Sequence, residues 1–315
     1  MSGCRELCLS VVDNISRVIV GKKRAVEHTL LALLCEGHLL IEDVPGVGKT
    51  TLAAALAKSV DCSFARIQFT PDILPSDITG FSLFNPKSGD FEYRQGLVMS
   101  SFILADEINR TSPKTQASLL EVMEENQVTV DGVTRQVGKP FMVIATQNPS
   151  EYVGTYPLPE AQMDRFLMRL SVGYPERDDE MAILRRFRVN DPFEQLTPVV
   201  KAEDVTRLQE AVREIHVEES LYAYIVDIVR GTRAHPDVEL GASPRGALAL
   251  FRASQALALY LGREFALPDD VKYMARYVLP HRLLLRQEAR LRRVSREQVV
   301  DGVIGGLPVP IITVG

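Results

Sequence analysis

Apolar and polar positions along the 315 residues fall into two regimes, one of short apolar runs alternating with helical patterns and one of helical patterns alone. In the first, Leu39-Leu40-Ile41, Phe64-Ala65-Arg66-Ile67-Gln68-Phe69, Phe102-Ile103-Leu104-Ala105, Phe141-Met142-Val143-Ile144-Ala145-Thr146 and residues 166–172 predict strands. Nearly continuous apolar runs of this length suit a buried parallel sheet. Helical spacing recurs between them. Leu7, Val11, Val12 and Ile15 share one face, and further helices are predicted over 23–34, 51–58 and 113–125, the last with Pro113 in its first turn. Pro71 and Pro75 argue against a helix directly after the second strand. Two stretches read as hairpins. Residues 81–84 and 91–94 alternate around a turn at 85–90, and residues 127–130 and 133–137 flank Asp131-Gly132, which suits a two-residue type I′ turn. Beyond Gly173-Tyr174-Pro175-Glu176-Arg177 only helices are predicted, over 178–189, 202–215, 219–232, 244–260 and 268–280. The pattern therefore predicts an α/β domain over 1–176 and an all-helical domain over 177–315. The apolar tail 307–314 takes no assignment.

Candidate chemistry sits at the ends of the predicted strands. After the first strand comes Asp43-Val44-Pro45-Gly46-Val47-Gly48-Lys49-Thr50, followed by a helix that opens with Thr51. A strand, a glycine-bearing turn and a helix N-terminus together make a phosphate-binding loop, with backbone N–H groups and the helix dipole facing the anion. Lys49 is placed to reach β- and γ-phosphates and the Thr50 hydroxyl to ligate Mg²⁺. Asp43 stands where the strict phosphate-loop pattern has glycine, while Pro45, Gly46 and Gly48 still supply the turn. An ordinary glycine-containing turn is the plain alternative for the loop by itself.

The third strand ends in Asp106-Glu107, 56 residues after Thr50. Asp106 suits the Mg²⁺ shell and Glu107 the activation of a water for attack on a γ-phosphate. Two surface acids capping a strand would read the same. Asn148, after the fourth strand, is placed to orient that water, although Asn before Pro is also a common turn residue. Arg165 could pair locally with Asp164 or Glu160, or reach a neighbouring subunit's γ-phosphate. Arg245 opens a helix behind Ser243 and Pro244, where its charge opposes the helix dipole, so a function other than helix stability is expected of it. Val20 and Gly21, in the extended link Val18-Ile19-Val20-Gly21, could lie against a flat ring or merely connect two helices.

Composition narrows the classes. Hydrophobic residues are 46% and charged residues 24%, globular values for a chain long enough for two domains. The net charge of −5 disfavours bulk attraction to nucleic acid, although residues 241–300 hold 11 Lys/Arg against 5 Asp/Glu. Cys4, Cys8, Cys35 and Cys62 lack metal or redox spacing and suit reduced thiols. No apolar run approaches the about 18 residues of a membrane span, and the start has no signal-peptide pattern. A cytoplasmic location is expected.

Assembled, these segments resemble the AAA+ ATPases and, among them, the MoxR family. The resemblance runs from about residue 18 to 293, most specifically through the 42–50 loop, Gln68-Phe69-Thr70-Pro71-Asp72, Leu104-Ala105-Asp106-Glu107-Ile108-Asn109-Arg110, Ala145-Thr146-Gln147-Asn148-Pro149 and residues 156–166. It implies an AAA+ P-loop core with a mainly parallel sheet flanked by helices, and an all-helical C-terminal lid. It makes residues 43–50 the Walker A loop, Asp106-Glu107 the Walker B pair, Asn148 sensor 1, Arg165 the arginine finger and Arg245 sensor 2, acting on its own or a neighbour's nucleotide. The two hairpins fall where relatives carry a helix-2 insert and a pre-sensor-1 hairpin. The family implies ATP and Mg²⁺, a homo-oligomeric ring expected to be a hexamer, a von Willebrand factor A domain partner, and a client protein undergoing maturation or metal-cofactor loading. Three other readings remain: a motor on nucleic acid, a nucleotide-gated scaffold with little turnover, and, least favoured, a small-molecule kinase.

Overall fold

The computed structural model describes residues 2–148, 155–188 and 191–311. Pro149, Val189 and the tail residues Ile312, Thr313 and Val314, all included in the expectations above, lie outside the described residues.

The apolar runs become a five-stranded sheet: β1 Leu39–Glu42, β2 Phe64–Gln68, β3 Phe102–Asp106, β4 Met142–Gln147 and β5 Met168–Leu170, in the order β2-β3-β4-β1-β5. The pairs β2/β3, β3/β4 and β1/β4 are parallel, with Phe64 opposite Phe102, Phe102 opposite Met142 and Leu39 opposite Ile144. All five residues of β3 are buried, as are the first five of β4. Parallel strands of this kind must be joined by crossovers, which is why helices such as Lys49–Ser59 and Pro113–Glu125 lie between them in the chain. Register then aligns the polar strand ends. Gln68 stands opposite Asp106 and Glu42 opposite Gln147, so the carboxyl edge of the sheet collects the chemistry.

Helix starts follow the predicted signals. Ser112 caps Pro113–Glu125, its hydroxyl accepting from the Thr115 N–H at 3.3 Å, with Pro113 in the first turn. Pro75 behaves likewise. It blocks a helix running on from β2 but begins a five-residue helix, Pro75–Thr79, because a first-turn proline sacrifices no intrahelical hydrogen bond. Both hairpins form, as Gly80–Asn85 with Asp90–Gln95 and Gln127–Val130 with Val133–Gln136. Asp131 and Gly132 have φ of 53° and 76°, the left-handed pair that a type I′ turn requires.

The chain forms two compact units, one of Ser10–Leu158 with Leu170–Thr206, the other of Met1–Leu9, Pro159–Arg169 and Arg207–Gly315. The first holds most of the sheet and both hairpins. The second is mainly helical, built on Glu219–Ala234, Pro244–Tyr260, Pro268–Val278 and Arg296–Gly306, with Ile228, Leu250, Ala253, Met274 and Val300 in its core. It also holds an antiparallel ribbon, Val238–Leu240 with Leu284–Leu285, inside the stretch expected to be helical throughout. Strands of two or three residues are too short to show a period. The helix Arg296–Gly306, absent from the expectations, starts with a reciprocal cap in which Ser295 and Gln298 each accept the other's backbone N–H at 3.1 and 2.8 Å.

Gly132→Ala should destabilise the unit bearing the hairpin by roughly 1–2 kcal/mol, the cost of a left-handed non-glycine residue. Gly138→Ala, where an added methyl meets nothing within 4 Å, should be close to neutral in the same urea titration.

Candidate functional site

The loop after β1 has the backbone its glycines foretell. Gly46 and Gly48 take φ of 84° and 88°, open positions where the missing side chain leaves the backbone exposed to an approaching anion. Gly48 is also the N-cap of the helix Lys49–Ser59, so the positive end of that helix faces the loop. Lys49 folds back over it, donating to the carbonyls of Asp43 at 2.7 Å and Val44 at 3.2 Å. Burial lowers the Lys49 pKa from its ordinary value, with Asp43, Asp106 and Glu107 opposing that shift.

Asp43 is a structural anchor. One carboxylate oxygen accepts from the Val172 and Gly173 N–H groups, both at 2.6 Å, and from the Ser171 hydroxyl at 3.0 Å. The other accepts from its neighbour, the Val44 N–H, at 2.9 Å. Burial pushes the carboxyl pKa up, but the hydrogen bonds from Gly173, Ser171, Val44 and Val172 together hold it below 3.8. A glycine here could not make these bonds. The departure from the strict phosphate-loop pattern thus fastens the start of the loop to the chain leaving the sheet.

At the end of β3, both Asp106 oxygens are engaged, one by the Thr146 hydroxyl at 2.6 Å and the other by the Arg66 guanidinium, also at 2.6 Å. Glu107 takes a left-handed backbone, φ 56°, unusual for a non-glycine residue and associated with functional sites. Its N–H donates to the Thr146 hydroxyl at 2.9 Å, and its carboxylate accepts from Gln68 at 2.8 Å and Arg110 at 2.9 Å. Arg66, Gln68, Arg110 and Thr146 were not among the candidate residues. The polar Arg66 and Gln68, two apart on a strand beside β3, carried the signal, because that spacing puts both on one face beside the acids.

These groups surround one cavity of about 410 Å³, lined by Pro45, Gly46, Gly48, Lys49, Thr50, Thr51, Arg66, Gln68, Asp106, Glu107 and the buried Asn148. A second cavity of about 240 Å³ lies on the other side of the loop, where Val18, Ile19, Val20, Val47, Pro175 and Ile183 supply an apolar lining. Gly46, Gly48 and Thr51 border both. A polar chamber with a lysine, a hydroxyl and carboxylates, next to an apolar slot, has the layout to take a triphosphate and an aromatic base. Gly21 brings the slot's first wall close to helix Arg177–Phe187, since an added Cβ would stand 1.9 Å from an Asp179 oxygen. Thr50 and Asp106 are hard oxygen donors of the type Mg²⁺ selects.

Arg165 and Arg245 belong to the mainly helical unit. Arg165 follows the short helix Glu160–Met163 and Asp164, and Arg245 is the second residue of Pro244–Tyr260, whose cap Ser243 accepts from the Gly246 N–H at 3.3 Å. Both are half-buried.

Comparisons with known proteins agree with this layout. The model of the ATPase family associated with various cellular activities (AAA) matches residues 38–168, and that of the AAA lid domain matches residues 230–303. The uncharacterised protein YeaC of Bacillus subtilis (strain 168) is 52% identical over 95% of this chain and 94% of its own length. Chaperone MoxR1 of Mycobacterium tuberculosis is 41% identical over 95% of this chain and 81% of its own. A crystal structure of a candidate ATPase from Cytophaga hutchinsonii superposes with a TM-score of 0.92 at 38% identity, covering 98% of this chain and 97% of that one.

Asp43→Ala strands three backbone N–H groups, those of Val44, Val172 and Gly173, and should destabilise the sheet-bearing unit by about 2–3 kcal/mol. Because the folded carboxyl pKa lies below the ordinary carboxylate value, its contribution is fully present well above the unfolded pKa and is lost as pH falls through the folded one. Acid titrations of stability should therefore run parallel for wild type and Asp43→Asn near neutral pH and diverge as pH falls through the range of the carboxyl's unfolded and folded pKa values.

Proposed function

Because this chain belongs to the MoxR family of AAA+ ATPases, we propose that it binds Mg²⁺-ATP at residues 43–50 and hydrolyses it to remodel protein complexes. The observation that carries this reading is the single cavity shared by Lys49, Thr50, Asp106, Glu107 and Asn148. In it, Lys49 and the loop N–H groups hold phosphates, and the slot at Val18, Ile19 and Val20 holds the base. Thr50 and Asp106 hold Mg²⁺, which neutralises phosphate charge when bound. Glu107 takes a proton from the attacking water, and Asn148 orients that water. Lys49 now donates to the Asp43 and Val44 carbonyls and Arg66 to Asp106, and with nucleotide and Mg²⁺ bound Lys49 would turn to phosphate oxygens and Asp106 to the metal shell.

Arg165, and with it Arg245, acts on the nucleotide of a neighbouring subunit, which makes the working form a ring, a hexamer by family resemblance. A protein client is favoured by the first hairpin. Phe81, Leu83, Phe84 and Phe91 are about half or more exposed on it, with the Phe84 and Phe91 rings 5.4 Å apart across the strands. The Arg135 guanidinium of the second hairpin lies 3.9 Å from the Tyr93 ring centre, so the hairpins are braced against each other. The resemblance adds a von Willebrand factor A domain partner, a role in maturation or metal-cofactor loading, and a cytoplasmic setting. Among the described residues no helix is long and apolar enough to cross a membrane.

Glu107→Gln should keep ATP affinity and lower turnover by about 100-fold or more, the range for loss of a general base. Near-normal turnover in a single-cycle assay would remove Glu107 from the mechanism. The same variant, held with ATP, should retain client and partner in a pull-down. DNA-stimulated turnover with steep salt dependence would instead support the nucleic-acid motor.

A further inference from the structure

Arg165 and Arg245 lie 80 residues apart in sequence, yet one buried side chain is tied to the surroundings of both. Arg282 ends the 3-10 turn Pro280–Arg282 of the helical unit, with its side chain 2% exposed. A guanidinium has five N–H donors in a fixed fork, and here each can be matched to an acceptor. Nε donates to an Asp164 carboxylate oxygen at 2.8 Å. Nη2 donates to the Asp164 carbonyl at 3.2 Å and the Phe166 carbonyl at 2.7 Å. Nη1 donates to the Leu167 carbonyl at 3.1 Å and to the Val278 carbonyl. The carbonyls immediately before and after Arg165 are therefore held by one group.

The same group bears on Arg245. The second Asp164 oxygen accepts from the Ser243 hydroxyl at 2.7 Å, and Ser243 caps the helix on which Arg245 is the second residue. The next residue, Gly246, packs on the Arg282 stem, for a Cβ there would stand 3.1 Å from Arg282 Cδ. Burial is the main influence on the Arg282 guanidinium; Asp164 opposes it, and the Arg245 charge adds to it, bringing the group down to about 10. It stays charged at neutral pH. A buried ion pair of this kind is weak support for stability but is well suited to fixing geometry, because its hydrogen bonds define direction as well as distance.

We propose that Arg282, with Asp164 and Ser243, is a positioning network that holds Arg165 and Arg245 as one pre-set pair, so that both are presented together to the neighbouring subunit's nucleotide. This rests on the reading of those two arginines as acting across a subunit boundary. Arg282 lines neither of the two cavities at the loop. Lysine cannot replace it, since a single ammonium lacks the fork that grips both sides of Arg165.

The test uses assembled rings of the full chain. Arg282→Lys should lower kcat by about 100-fold, the scale of a 1 Å misplacement, while the Kd for ATP stays within about twofold, because the phosphate loop is untouched. Subunits carrying Arg282→Lys keep Glu107, and Glu107→Gln subunits keep both arginines. Mixing the two should restore turnover above that of either homomeric ring, as mixing Arg165→Ala with Glu107→Gln should. A kcat within twofold of wild type overturns the proposal. So does an Arg282→Lys defect that Glu107→Gln subunits fail to rescue when they do rescue Arg165→Ala. If Arg165→Ala itself turns over normally or is not rescued, the trans-acting reading fails first, and the proposal with it. Should Arg282→Lys not assemble, Asp164→Asn is measured by the same two criteria and decides alone.

Discussion

The arrangement at the carboxyl edge of the sheet depends on the Asp43 carboxylate, which gathers the Ser171 hydroxyl and the N–H groups of Val44, Val172 and Gly173. A phosphate loop must leave most of its N–H groups free for an anion, so it can be fastened only at its edge, as here at the Val44 N–H. Asp43 resolves this at the first residue of the loop, before Gly46 and Gly48 turn the backbone. The loop is fixed at its root and open at its tip. The chain leaving through Gly173 continues to Pro175 and Ile183, which form part of the apolar slot. One carboxylate thereby ties the root of the loop that borders the polar cavity to the chain that supplies a wall of the apolar slot.

A second layer of fixed geometry surrounds the acids of β3. Thr146 is shared, its hydroxyl donating to Asp106 and accepting from the Glu107 N–H, which makes β4 the support for β3. Arg66 and Gln68 come from the opposite side, on β2. Charged and polar groups so close to two carboxylates hold both in fixed directions, at the expense of a left-handed backbone at Glu107.

The helical unit follows a different logic. Its core is ordinary apolar packing, but the segment Pro159–Arg169, which carries Arg165, is counted with it and not with the sheet-bearing unit that precedes it in the chain. Hydrogen bonding explains this grouping in part. The carbonyls of Asp164, Phe166 and Leu167 are oriented by Arg282, and Asp164 reaches Ser243, so the short segment is bound to the turn and helix ends around it. The candidate residues of the chain are split accordingly, with the cavity-lining Lys49, Thr50, Asp106, Glu107 and Asn148 on one unit and both candidate arginines on the other.

Strand runs, helix periods, turn dipeptides and the glycine pattern were legible in the sequence because each is a local property, set by the chain's own sterics and by the spacing of apolar residues. They determined the α/β class, the helical second half, the Asp131-Gly132 turn, the helix start that carries Lys49 and Thr50 and the strand ends that lead to Asp106, Glu107 and Asn148. Tertiary structure alone decided what those residues are bound to. That Asp43 is an anchor, that Arg66 and Gln68 grip the acids and that Arg282 braces the backbone around Arg165 all depend on partners 39 to 130 residues away. The very short ribbon Val238–Leu240 with Leu284–Leu285 was hidden for the same reason. A hydrogen bond between distant residues leaves no period in the sequence, since it is fixed by how the layers pack and not by the residues beside it in the chain.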